Sequence, residues 1–344
     1  MPPSPCKPEA TVAEVGEFPL IERLRRLVPA AGPGVIVGIG DDAAVVELSE
    51  RALATCDVQV EGVHFTREMC TPADIGWRAL AVNLSDIAAM GGIPRYALVS
   101  LLLPPEMPVG ILDGVYAGMA EIASQYGVVV VGGNISRTSG PLAIDVTLLG
   151  DGLRILRRGG ARPHDGVWVT GSSGKAAAGL FLLRHPEMKV PGAEALTGAY
   201  CRPVPRVGTG QALASAGTVT AMIDTSDGTA SDLLHLADAS GVGVRLDLER
   251  LPVDPGVVAT ARAAGRDPMA WALGGGEDYE LLFTARPEFE ASAASLTRTA
   301  GVPLTRIGEI LRQEDGRWMT GRDGTRTRLV PAGWDHFRST GGGA

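Results

Sequence analysis

Apolar and polar positions along this chain switch between helical and strand periods, and the switches mark its elements. Residues 18–27 carry apolar side chains at helical spacing and predict a short amphipathic helix. Val35-Ile36-Val37 predicts a buried strand, broken by Gly38-Ile39-Gly40-Asp41-Asp42. Residues 43–48 read as extended, and Ala52-Leu53-Ala54-Thr55 opens another strand. The clearest helix spans 72–90. Thr71 is placed to cap it, Pro72 suits its first turn, Asp74 completes a T-x-x-D box, and Gly91-Gly92 ends it before Pro94. Strands follow at 96–103, at 128–131 (closed by Gly132-Gly133) and at 143–149, with a helix at 111–125.

The stretch 154–165 is basic, glycine-bearing and aperiodic, and reads as a domain boundary. Beyond it, a strand at 167–170 precedes a helix at 176–184. The strand Ala221-Met222-Ile223-Asp224 then leads through Thr225-Ser226-Asp227-Gly228 into a helix ending at Ser240-Gly241. Strands at 243–248 and 280–284 and a polar, glycine-rich tail complete the chain, and no fixed-period repeat occurs. The expectation is an α/β (α+β) protein of two domains, 18–152 and 166–338. A linker at 153–165, a frayed N-terminus at 1–17 and a disordered tail at 339–344 complete it.

Charge narrows the function classes. The 344 residues carry 31 basic and 39 acidic side chains, a net charge of −8. That is the wrong sign for gripping nucleic acid by its phosphates. Mean hydropathy is +0.14, yet no run reaches the ~18 apolar residues that would span a bilayer. The first residues lack an apolar signal core, so a cytoplasmic protein is expected. Cys6, Cys56, Cys70 and Cys201 form no C-x-x-C pair, which argues against zinc and disulfides. Only three lysines occur, and only two asparagines, Asn83 and Asn134.

The carboxylates recur at strand ends: Asp41-Asp42, Asp57, Asp224 and Asp227, and Glu277-Asp278. Capping accounts for any single Asp at a turn, and Asp227 and Asp232 fit it. It does not account for Asp86, inside an apolar helix one turn from Asn83. A charge there must be solvated, paired or metal-bound. Adjacent Asp41 and Asp42 repel each other, and a divalent cation is the common remedy. Clustered oxygen donors point to Mg²⁺ rather than zinc. His64, His164 and His235 lack zinc spacing, and the last two read as surface residues. Two glycine patterns weigh little. Gly38-x-Gly40-x-x-Ala43, with Asp57 and Glu61 downstream, matches a loose dinucleotide fingerprint, but a strand rather than a helix follows it. Gly171-Ser-Ser-Gly174-Lys175-Ala176 has its first glycine too close and Ala in place of the magnesium-binding hydroxyl, so it supports a helix-start anion contact at most.

Several segments together resemble the thiamine-monophosphate kinase family. They are GIGDDAAVV (38–46), DVQVEGVHF (57–65), ALAVNLSDIAAMGGIP (79–94), VGGNISR (131–137), IDTSDGTASDL (223–233), GGGEDYEL (274–281) and GWDHF (333–337), in the family's order. The family belongs to an ATP-binding superfamily with aminoimidazole ribonucleotide synthetase and selenophosphate synthetase. The resemblance implies transfer of the ATP γ-phosphate to thiamine monophosphate. It also implies a homodimer in which N-terminal mixed sheets form a barrel-like interface, each followed by a C-terminal α/β sandwich domain. By motif position it makes Asp42, Asp57, Asp86, Asp224 and Asp227 magnesium ligands, with Thr55, Cys56 and Asn134 in the metal set. Tyr116, Gly133, Asn134, Arg158 and Ser226 would contact ATP. His64, Glu277 and Trp334 would hold thiamine phosphate.

The acceptor is itself a phosphate monoester, largely deprotonated near neutral pH because its second pKa is ~6. No general base is needed; the difficulty is joining two polyanions. Several Mg²⁺ ions and Arg158 would supply the positive charge, and Trp334 an aromatic face for a cationic ring. Two departures stand out. Cys56-Asp57 replaces the family's Thr-Asp, and Gly132-Gly133-Asn134 replaces its Gly-Gly-Asp. Both are expected around one magnesium position, which would then be held more weakly or through water and backbone. The alternatives are another ATP-dependent synthetase of the superfamily, a nucleotide-binding protein with reduced catalysis, and, distantly, a nicotinamide oxidoreductase. Cys6 lacks the glycine-rich context a selenophosphate synthetase would need.

Overall fold

Among the described residues two large sheets form, each with its own helices, beside a small two-stranded one. The computed structural model describes residues 9–40, 43–152 and 154–333. Close Cα neighbours divide the chain into two compact units. One holds residues through Ile87 and those from Ile93 to the boundary near 153; the other holds Ala88–Gly92 and residues from Arg154 onward.

The first unit runs α1 (Val12–Val15), α2 (Glu17–Arg25), β1 (Val35–Val37), β2 (Val45–Val46), β3 (Ala52–Val60), α3 (Pro72–Ala89), β4 (Ile93–Leu103), α4 (Val109–Tyr126), β5 (Val129–Arg137) and β6 (Ala143–Asp151). Its main sheet is open and four-stranded, in the order β3-β6-β4-β5. Helix α4 carries the chain from β4 to its parallel neighbour β5, and the other pairings are antiparallel. Alternation along each strand separates two faces. Val99, Leu101, Ile144, Val146 and Leu148 are fully buried on one, while Val58 and Leu102 are among the exposed large apolar side chains on the other. The box at the start of α3 forms as its sequence predicts. The Thr71 N–H donates to Asp74 Oδ2 at 3.1 Å, and the Asp74 N–H to Thr71 Oγ1 at 3.2 Å.

Two expectations change. Residues 9–17 are not frayed: α1 has a complete capping box on Thr11, and the Val12 N–H donates to Met107 O at 2.9 Å. The segment after Gly40 keeps to its pattern: among the described residues it forms the short β2, antiparallel to β1, with no dinucleotide-binding helix behind it, and the oxidoreductase alternative loses its motif. Gly132 and Gly133 do not close β5, which continues to Arg137. At Gly133 (φ 154°) a Cβ would lie 1.9 Å from Val99 O, so the bare backbone is what lets β4 pair past this point.

The second unit runs β7 (Gly166–Thr170), α5 (Lys175–Arg184), α6 (Ala193–Cys201), α7 (Val207–Ala216), β8 (Val219–Asp224), α8 (Thr229–Ser240), β9 (Gly243–Asp247), α9 (Pro255–Ala264), α10 (Pro268–Gly274), β10 (Leu281–Ala285), α11 (Glu290–Ala300), β11 (Leu304–Leu311), β12 (Arg317–Thr320) and β13 (Arg326–Arg328). Seven strands order as β13-β12-β9-β11-β7-β10-β8. One face packs Val167, Val169, Ile223 and Leu282 against Leu233, Leu236 and Ala237 of α8. The alternate positions Trp168 and Phe283 stack with centroids 6.4 Å apart, and Phe289 meets both edge-on, at 5.0 and 5.4 Å. Strand β11, placed between β7 and β9, lies in the stretch expected as polar tail: Thr305, Arg306 and Glu309 occupy its half-buried positions, and a bulge between Arg306 and Gly308 interrupts its alternation. The stretch expected as a linker is tied to this unit, since the Met222 N–H donates to Arg157 O at 2.9 Å. No helix among the described residues is long and apolar enough to cross a membrane.

Helix α5 begins in the glycine-bearing loop that resembles a phosphate loop. Its anion is internal: Asp278 accepts from the Gly174 N–H and, at 2.9 Å, from the Ala176 N–H. Burial pushes the Asp278 carboxyl up to about 7, with these N–H groups opposing the shift. The native chain therefore retains a proton that the unfolded chain has lost, and this contribution falls away as pH rises from about 4 to about 7. Urea denaturation midpoints of the unaltered chain should drop relative to those of Asp278→Asn across this range. Parallel pH profiles would refute the assignment.

Candidate active site

In the first unit, β3 and α3 bring together residues that lie 19 to 31 apart in sequence. Alternation on β3 sends Thr55, Asp57 and Gln59 toward one face. On α3, Arg78 and Asp86 meet them: Arg78 Nε donates to Gln59 Oε1 at 3.0 Å, Thr55 Oγ1 donates to Asp86 Oδ2, and Asp57 shares a hydrogen bond with Asp86. Burial pushes Asp57 up to about 6, and the nearby charges of Asp86 and Asp145 add to the shift. These are crowded, hard oxygen donors, and a divalent cation would relieve their repulsion. The donor set fits magnesium.

The two unusual positions separate. Cys56 lies on the exposed face of β3, where its thiol donates to Asp145 Oδ1 at 3.0 Å; this bond is the main reason its pKa rises. Asn134 lies on β5, paired with Ser100, and Ser100 in turn pairs with Asp145. Strands β6 and β4 intervene, so Cys56 and Asn134 stand at opposite edges, roughly 14 Å apart at normal strand spacing. Within one chain they cannot flank one ion, contrary to the sequence expectation. Gly133 adjoins Asn134, Tyr116 is buried on α4, and burial raises its phenol pKa. His64 is half-buried in the turn after β3, where its Nδ1 accepts from the Val60 N–H at 3.0 Å. That bond places the ring proton on Nε2.

In the second unit, Asp224 is buried at the end of β8, and Asp227 follows in the loop leading to α8. Asp232 serves the start of α8 as the sequence predicts: from its first turns it reaches back to accept from the Asp227 and Gly228 N–H groups at 3.2 and 3.0 Å. Burial first, then the charges of Asp224 and Asp227, push Asp232 up to about 8. His235 stands on α8 with Nε2 4.0 Å from Asp227 Oδ2. Ligand atoms of Asp227, Asp232 and His235 all lie within 4.8 Å of one another. This oxygen-rich set also suits magnesium. Ser226 O accepts from the Glu277 N–H at 2.8 Å, and Glu277 holds a left-handed φ of 69°. Arg158 is exposed, its carbonyl accepting from Ser240 Oγ at 3.4 Å. Asp42 and Trp334 lie outside the described residues.

Sequence reasoning did not single out Asp145 or the carboxylate role of Asp232. Asp145 had a readable signal, a charge within the alternating strand Ala-Ile-Asp-Val-Thr. Asp232 had none beyond its place in a helix start.

Comparison with known proteins follows the same division. The description "AIR synthase related protein, N-terminal domain" matches residues 40–151, and "AIR synthase related protein, C-terminal domain" matches 162–319. A thiamine-monophosphate kinase of Rhodopirellula baltica is 39% identical over 313 residues, covering 88% of this chain and 92% of the relative. The crystal structure of thiamine-monophosphate kinase from Stenotrophomonas maltophilia K279a aligns with a TM-score of 0.79 at 35% identity, over 92% of this chain and 98% of that one. The structure of AaThiL complexed with AMPPCP and TMP aligns with a TM-score of 0.74 at 36% identity, over 94% and 98%. Motif order, fold and extent of match agree, and the chain belongs to the thiamine-monophosphate kinase family within the AIR synthase related proteins.

Proposed function

We propose that this protein transfers the γ-phosphate of ATP to thiamine monophosphate, giving thiamine diphosphate and ADP. The observation that carries the reading is the hydrogen-bonded Asp57–Asp86 pair, with Asp57 pushed up to about 6, in a chain similar over nearly its whole length to AaThiL, which binds AMPPCP and TMP. An acceptor phosphate oxygen forms the new bond to the γ-phosphorus, the bond to the β,γ-bridging oxygen breaks, and ADP leaves with that electron pair. No proton need be removed from an acceptor already ionised, so none of the carboxylates is assigned as a base. They are assigned as metal ligands: Asp57 and Asp86, with Thr55, in the first unit, and Asp224 and Asp227 in the second. Magnesium held there would offset the charge of the phosphates. Asp42, by motif position, belongs to the same set.

The chain's own groups bind and orient. Arg158 offers a fixed guanidinium on an exposed stretch. His64, with its proton on Nε2, can donate to a phosphate oxygen. Tyr116, Gly133, Asn134 and Ser226 are assigned to ATP, and Glu277 and Trp334 to the thiamine moiety, by motif position. We further assign a homodimer built on the open first-unit sheet, whose outer face exposes 44% of Val58 and 46% of Leu102. A cytoplasmic location suits this biosynthetic reaction.

Incubation with ATP, Mg²⁺ and thiamine monophosphate should yield thiamine diphosphate. Binding of ATP without product would instead favour the reading of a nucleotide-binding protein with reduced catalysis. Asp86→Asn should lower kcat by roughly a hundredfold while far-ultraviolet circular dichroism stays unchanged. Near-normal turnover in that variant would remove the aspartate pair from the mechanism. For the assembly, sedimentation should report a dimer for the unaltered chain and a monomer for Val58→Glu/Leu102→Glu; an unchanged sedimentation coefficient counts against this face.

A further inference from the structure

The loop Thr225–Gly228 and the loop preceding β10 are laced together along their backbones. The Glu277 N–H donates to Ser226 O at 2.8 Å, the Tyr279 N–H to Thr225 O at 3.0 Å, and the Thr225 N–H to Glu280 O at 2.8 Å. The Glu280 N–H donates to Thr225 Oγ1 at 3.0 Å. Glu277 and Tyr279 both adopt left-handed φ, 69° and 49°. Such conformations are costly for residues other than glycine and persist only where the surroundings over-determine them.

At the end of this loop the side chain of Glu280 is 1% exposed. Arg206 forks onto it, Nε to Oε2 at 2.7 Å and Nη2 to Oε1 at 2.6 Å. Thr170 Oγ1 donates to Oε2 at 2.6 Å, and Lys175 Nζ stands 3.7 Å from Oε1. Gly171 makes room, since a Cβ there would lie 2.1 Å from Oε1. The segment Gly171–Ala176 thus receives the chain's own acidic loop: Gly171 and Lys175 face Glu280, while Gly174 and Ala176 bind Asp278. A buried ion cluster of this kind adds little net stability over an apolar replacement, because desolvation offsets the attraction. Its distinctive effect is to fix position.

We propose that Glu280 is a positioning residue for phosphoryl transfer: held by Arg206, Thr170 and Lys175, it sets the backbone that carries Glu277 and, through Thr225, the one that carries Ser226 and Asp227. The proposal rests on the kinase reading above. Removing one partner leaves an uncompensated buried charge, so Glu280→Gln alone risks misfolding. The paired variant Arg206→Leu/Glu280→Leu removes both charges and keeps the fold testable. Lys175→Met removes the more distant, partly exposed cation and should show the same changes to a smaller degree.

In the paired variant, the melting temperature should stay within a few degrees of the unaltered chain's. Amide hydrogen exchange over 274–281 should accelerate roughly tenfold, and kcat should fall by at least about tenfold, with the larger part of the kcat/KM loss in kcat. Unchanged exchange would overturn the proposal, because the loop would then be held without Glu280. Faster exchange with kcat and KM retained would also overturn it, leaving a structural ion pair only. Absence of thiamine diphosphate with the unaltered chain would instead sink the kinase reading, and the exchange measurement would still judge the clamp.

Discussion

Asp57 and Asp86 share a hydrogen bond although each makes ionisation of the other more costly. Were both ionised, two like unit charges about 4 Å apart would repel by about 4 kcal/mol in a protein-surface environment, a sizeable share of the ~5–15 kcal/mol that holds a domain folded. Such a pair persists only on a rigid support. The long helix α3 and the nine-residue strand β3 supply it, tied together a turn or two away by the buried Arg78–Gln59 bond. The second unit repeats the arrangement with different parts. Asp224 ends the buried edge strand β8, Asp227 follows in a tight loop, and Asp232 reaches back to hold that loop by its N–H groups. In both units the fold accepts electrostatic cost at the sites where a cation would remove it.

The second unit also shows how acidic groups can serve one another's placement without touching substrate. Asp278 and Glu280 lie two residues apart and point into the same glycine-bearing segment, one capping a helix and the other gripped by two cations. Between them Tyr279 takes the left-handed turn that separates their directions. Acidic side chains here divide into those proposed to hold metal and those that anchor backbone.

Much of this was legible in the sequence because it rests on local rules. The α3 helix announced itself through Thr71, Pro72 and Gly91-Gly92, and Asp86 stood out because no cap or turn explains a charge in mid-helix. Strand β8 and its loop were readable from Ala221-Met222-Ile223-Asp224 and the glycine behind it. What was not legible depends on partners distant in sequence. Strand β11 hid because its polar positions are sheltered only once β7 and β9 flank it. Glu280 is unremarkable until Arg206, Thr170 and Lys175 arrive from three other places in the chain. The glycines at 132–133 signal a stop in isolation but permit close strand pairing when β4 is the neighbour.

The placement of Cys56 and Asn134 on opposite margins of one sheet has a bearing on how the chain can vary. Side chains three strands apart exchange no direct force, so a replacement at one cannot compensate locally for a replacement at the other. Non-additivity between changes at these sites would therefore have to travel across the full width of the sheet or through contact with a second molecule. Such epistasis would act as a reporter of association rather than of chemistry within a single subunit.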